Sequence, residues 1–181
     1  MTSPERATGP EQAEDAPWLS ADQLRSWLAL TALLETLPAA IDAQLKRDAG
    51  MNLFEYVVMA RLSEEPGRVV AMRDLATFAA GSLSRLSHAV DRLERQGWVE
   101  RRPRSCNPRH TEVVLTDAGL DKIVRSAPGH VREVRRLVID TLTDEQTAQL
   151  GRIARAIVGV VAPEVARLLD QGSRRLTGAA W

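Results

Sequence analysis

Cysteine is almost missing from this chain: Cys106 is the only one in 181 residues. That excludes an intramolecular disulfide and a cysteine-built zinc site, and it suits a reducing compartment. Lysine occurs only at 46 and 122, so nearly all the positive charge is arginine. Aromatic residues make up just 4% while Ala, Leu and Val abound, a balance that favours helices. The longest apolar run, Ala156–Pro163, is too short to span a bilayer. No basic stretch followed by an apolar one opens the chain, so no signal peptide is visible and a cytoplasmic location is expected. A Gly-x-Ser-x-Gly elbow and a phosphate-cradling glycine loop are both missing, which speaks against the common hydrolase and nucleotide-binding patterns. There is no internal repeat, and 24 basic residues balance 24 acidic ones.

Against that neutral background, residues 82–116 stand out. Leu83, Leu86, Val90 and Leu93 recur at helical spacing with Ala89 beside them, predicting a buried stripe. Ser84, Arg85, His88, Asp91, Arg92 and Arg95 lie on the opposite face. Gly97 is placed to stop the helix, since glycine accepts the left-handed backbone of a helix C-terminus. Two extended runs follow, Val99–Arg102 and Glu112–Thr116, joined by a loop rich in Arg, Pro and Asn. Residues 82–110 hold seven arginines against Asp91, Glu94 and Glu100, a local excess of four positive charges. A helix leading into a basic hairpin is a winged-helix arrangement. The helix can enter a major groove while the hairpin reaches phosphates or the neighbouring minor groove.

The rest of the chain reads as helices around this block. Residues 1–17, polar and without apolar periodicity, are expected to be a disordered tail. Capping boxes at Ser20–Gln23, Asn52–Glu55 and Thr143–Gln146 mark three helix starts. The first helix, within residues 18–50, carries Trp27, Leu30, Leu34, Leu37 and Ile41, and Pro38 is expected to kink it. Residues 51–118 form the winged unit, with a brief strand at Val69–Ala71 and short helices around it. Residues 119–170 are helical again, interrupted at Pro128-Gly129, with one last helix from Thr143 through Leu168. Residues 171–181 are expected to fray. The expected fold class is therefore mainly α with a small β wing. The flanking helices are apolar over more surface than one small winged helix can cover, so a homodimer is expected.

The central block resembles the MarR family of dimeric winged-helix transcription regulators. The likeness is carried by Met72–Ala76 (MRDLA), Ser82-Leu83-Ser84, Val90–Glu94 (VDRLE), Gly97–Arg102 (GWVERR) and Val114–Gly119 (VLTDAG). It departs from the family at His88, where an Arg is usual, and at Asn107-Pro108-Arg109, where Asp-x-Arg is usual. The resemblance implies a DNA-binding homodimer, with an effector pocket between the dimer helices and the winged helix, often for small aromatic or phenolic compounds. Trp27, Tyr56 and His130 are its candidate lining. Joined to the helical pattern, it gives a dimeric repressor of an inverted-repeat operator, released by a small effector. The partners are double-stranded DNA, a second copy and the effector, with no membrane and no cofactor. Ser82 and Ser84 are assigned to phosphate near free backbone amides, Arg85, Ser87 and His88 to base edges, Arg92 to the DNA backbone and Arg109 to the minor groove.

Other constellations are weaker. Ser84, His88 and Asp91 share a stripe at spacings of four and three, on paper a nucleophile, base and acid. One exposed helix offers them no pocket and no oxyanion site, so an enzyme is not expected. Cys106 and His110 supply too few donors for a metal site. A redox-responsive regulator acting through Cys106, beside Arg104 and Arg109, and a winged-helix protein-interaction module without DNA binding stay open as alternatives.

Overall fold

All three capping boxes form. Gln23 N–H donates to Ser20 Oγ at 3.2 Å, Glu55 N–H to Asn52 Oδ1 at 2.8 Å and Gln146 N–H to Thr143 Oγ1 at 3.2 Å, each with the reciprocal bond in place. They open α1 (Ala21–Ala49), α2 (Leu53–Glu64) and α6 (Asp144–Val161). The structure, a computed structural model, describes residues 16–104 and 107–176, the side chains of 107–110 and 171–176 excepted. The predicted N-terminal tail before residue 16 lies outside the described residues. Between these helices stand α3 (Met72–Phe78), α4 (Leu83–Arg95), α5 (Asp117–Leu137) and α7 (Pro163–Leu176). Strands β1 (Val69–Ala71), β2 (Val99–Arg104) and β3 (Asn107–Leu115) form one antiparallel sheet in the order β1-β3-β2. The fold is mainly α with a small three-stranded wing.

The chain divides after Leu37 into two compact units. In the first, α1 exposes Leu24, Trp27, Leu28, Leu33 and Leu34. By length and composition α1 as a whole meets the requirement for crossing a membrane. In the second unit, however, Asp42 near its end accepts Leu53 N–H at 2.8 Å and pairs with Lys46 at 2.7 Å. These partners hold its carboxyl below the usual range and bind that end of the helix to the start of α2.

The core lies in the second unit. Leu45, Met59, Leu62, Leu75, Leu86, Leu93, Val99, Val113 and Leu115 are fully buried, so α1, α2, α3, α4 and the sheet share one apolar interior. Strand alternation sends Val99 inward and Glu100 outward. Gly97, at φ 71°, ends α4 with Trp98 N–H donating to Leu93 O at 3.0 Å, which turns the chain into β2.

Several expectations need correction. Leu83 is 51% exposed, because it lies in the first turn of α4 before the helix reaches the core. Helix α5 passes Pro128-Gly129 without a break; turns on both sides are anchored, by buried Ile123 and by His130 against α2, and that packing overrides the lost N–H. The last helix is two. Ala162 leaves helical geometry (φ −148°, ψ 73°), as a residue before proline tends to, and Pro163 then takes the first position of α7. Helix α7 also runs to Leu176, six residues into the segment expected to fray. The wing strands are longer than read, reaching Arg104 and starting again at Asn107; Pro103 is tolerated because β2 is an edge strand. Pro38 lies inside α1, as the sequence places it, and the helix continues past it.

Candidate nucleic-acid interface

Helix α4 separates its two faces cleanly. Leu86, Ala89, Val90 and Leu93 are buried, while Ser84, Arg85, His88, Asp91, Arg92 and Arg95 are exposed. Ser82 is its N-cap: the hydroxyl accepts Arg85 N–H at 3.1 Å. Ser84 and His88 stand on the outer face, and Ser87 lies half-buried toward the wing. The sequence-assigned residues of α4 therefore share one helix, with Ser82 and Ser84 at its amino end.

The arginines are less free than a charge count implies. Arg85 stacks over the Phe54 ring, its guanidinium carbon 4.3 Å from the centroid. Arg92 donates from Nε to the buried Glu55 at 2.5 Å, tying α4 to α2. Arg102 and Arg104 each approach Glu112 at 3.4 Å across the wing. Arg95 donates to Asp91 O at 3.3 Å within its own helix. Counting residues 82–110 alone misses Glu55 and Glu112, which lie outside that window and take up part of its charge.

Arg101 has more partners than any other arginine of the block among the described residues. Its backbone N–H meets Glu94 Oε1 at 2.9 Å, Nη1 meets Glu94 Oε2 at 2.7 Å, and Nη2 reaches Asp91 Oδ1 at 2.7 Å and Ser87 O at 2.9 Å. In the sequence it reads only as basic charge. The signal was available: Arg101 is two residues past inward-facing Val99, so strand alternation turns it toward α4. Because Asp91 is engaged there, Ser84, His88 and Asp91 form no triad on this face.

The side chain of Arg109 and all of Cys106 lie outside the described residues; the backbone places Arg109 within β3. Of the effector candidates, Tyr56 and His130 meet, with ring centroids 4.3 Å apart and an interplanar angle of 46°. They line a cavity of about 330 Å³ with Val57, Ala60, Phe78 and Leu168. His130 Nδ1 is buried there without a hydrogen-bond partner. Burial pushes His130 below its ordinary value; it pushes the Tyr56 phenol up, with Glu64 adding to that rise. Trp27 belongs to the first unit and is half-exposed.

Comparison with known proteins points one way. The model of the MarR family matches residues 51–111. Over 78 residues the chain is 35% identical to the HTH-type transcriptional regulator PecS of Dickeya dadantii, a match covering 41% of this chain and 47% of that protein. The chain thus spans about half the length of that curated relative. Two solved structures from Streptomyces coelicolor align over nearly their whole length. Sco3205, a MarR family transcriptional regulator crystallised in complex with DNA, is 41% identical with a TM-score of 0.79, covering 82% of this chain and 94% of its own. AbsC, another MarR family transcriptional regulator, is 31% identical with a TM-score of 0.76, covering 81% of this chain and 98% of its own.

Proposed function

Because this chain belongs to the MarR family of transcription regulators, we propose that it is a homodimeric repressor that binds an inverted-repeat operator and leaves it when a small molecule binds. The observation that carries DNA reading is the division of α4, with one face in the core and the other presenting Ser84, Arg85 and His88 beside the wing. Arg85, Ser87 and His88 read base edges, Ser82 and Ser84 hold phosphate at the helix N-terminus, and Arg109 enters the minor groove. Arg92 contacts the DNA backbone only by sharing its guanidinium with Glu55. Cys106, on which the redox alternative rests, lies outside the described residues.

Dimerisation rests on uncovered apolar surface. Leu24, Trp27, Leu28 and Leu34 are exposed on α1, as are Ile153, Ile157, Val160 and Val161 on α6. A second copy would cover these faces and set two copies of α4 on half-sites about one helical turn apart. The effector site is the cavity of Tyr56 and His130, whose volume and apolar lining suit a small aromatic or phenolic compound, with Trp27 a further candidate. The deciding experiment is selection of duplexes from random DNA, followed by footprinting and sedimentation of the complex. A palindromic footprint held by two chains supports the proposal. A monomer at micromolar concentration with an asymmetric footprint sinks it.

A further inference from the structure

Arg101 looks, by charge and position, like one more phosphate ligand in a basic wing. Its geometry points elsewhere. The side chain is only 24% exposed, and its two terminal nitrogens are directed at Asp91, Glu94 and the carbonyl of Ser87. Those three positions of α4 are spaced four and three residues apart, so they form one stripe along the helix. Arg101 itself is fixed in β2 by the pairing of Arg101 with Val113, and its backbone N–H is held by the same Glu94 that binds its side chain. A planar fork that grips two carboxylates and a carbonyl fixes distance and angle together, which an ammonium cannot do.

We propose that Arg101 is a positioning residue: it does not contact DNA but clamps the wing to the recognition helix, setting where the wing lands once α4 is in the major groove. This rests on the DNA-binding reading above. Its consequence is a division of labour within the basic block. Arg85 faces DNA, while Arg101 spends its charge on Asp91 and Glu94 to keep the wing in register with α4.

The two roles for Arg101 predict opposite signs for one double variant, Asp91→Asn/Glu94→Gln. If Arg101 were a phosphate ligand, removing its carboxylates would free it, tighten DNA binding and steepen the salt dependence by about one unit. As a clamp it loses its anchors, so binding weakens by about tenfold even though the protein gains positive charge. Arg101→Met should give the same loss. The probe is a duplex selected from random DNA by the unaltered chain, with far-ultraviolet circular dichroism confirming native helicity. In both variants dimethyl sulfate protection of guanines under α4 should persist, while hydroxyl-radical protection of the flanking backbone under the wing should disappear. A general loss of stability would weaken both protections together and would overturn the proposal, as would tighter binding by the double variant. If Arg101→Met fails to fold, Asp91→Asn alone, which leaves the Glu94 pair, should still lose wing protection selectively; unchanged protection overturns the proposal. An unaltered chain that selects no duplex at all overturns the DNA-binding reading, and the clamp with it.

Discussion

The two carboxylate oxygens of Glu55 serve two different elements: Oε2 accepts the backbone N–H of Asn52 at 2.9 Å, and Oε1 accepts Nε of Arg92 at 2.5 Å. One side chain thus caps α2 and ties α4 to it. Glu55→Gln keeps an oxygen for the cap but loses the charge opposite Arg92. Since Arg92 is about half exposed, the cost is held to about 1 kcal/mol, measured by urea unfolding. The freed guanidinium should then strengthen binding to random duplex DNA at low salt. Unchanged stability together with unchanged binding would show that the pair neither braces the helix nor holds Arg92 back.

A glycine governs the joint between wing and α5. A Cβ on Gly119 would lie 2.0 Å from Trp98 O and 2.7 Å from Leu115 Cδ1. The first obstacle is backbone, held by Thr116 N–H donating to Trp98 O at 3.1 Å, so it cannot swing aside. Gly119→Ala should destabilise the fold by about 2 kcal/mol or more, seen as a lower melting temperature. A melting temperature equal to that of the parent would mean that this joint yields freely.

What was legible in the sequence follows physical range. Capping at Ser20, Asn52 and Thr143 depends on residues three apart, and each cap forms as read. The buried stripe of α4 depends on period alone and failed only at Leu83, where position along the helix matters as well. At Pro128 the local breaking rule is outweighed by packing of α5 against α2, a contact between residues far apart in sequence. Pro163 carried its signal in plain view, as the residue that bends Ala162 and opens a helix. The partners of Arg92 and Arg101 were not legible as pairs, because Glu55 is 37 residues away from Arg92 and strand register decides what Arg101 meets.

Base reading by α4 has its own test. Arg85 is exposed, and its stacking on Phe54 orients the guanidinium without consuming its hydrogen bonds. His88 stands one turn further along the exposed face. Arg85→Ala or His88→Ala should each cost about 1–3 kcal/mol on the selected duplex and clearly less on random DNA. Fluorescence anisotropy on both duplexes measures the difference. Equal losses on the two would assign these side chains to phosphate instead.

The last prediction concerns pH and the Tyr56–His130 contact. His130 lies in an apolar cavity with Nδ1 buried, and the loss of water there favours the neutral ring, lowering its pKa from the ordinary 6.5. Arg61 and Glu64 also line the cavity, but Glu64, the one carboxylate among the lining residues, is paired with Arg61 at 3.0 Å, and Arg61 pairs with Glu65 as well, so burial remains the cause of the shift. In the unfolded chain the ring titrates near 6.5. As pH falls below that value, the unfolded state takes up the proton first, so stability declines as the solution is acidified. The contribution is fully present above about pH 6.5 and is lost as pH falls through the lower, folded-state value. The melting temperature should therefore drop between pH 7.5 and 5.5, above the range where most carboxylates titrate. In His130→Phe, which keeps a ring against Tyr56 but cannot bind a proton, that part of the slope should vanish. Parallel curves for the two proteins would mean that His130 keeps its ordinary titration in the fold and that its cavity is wetter than its lining indicates.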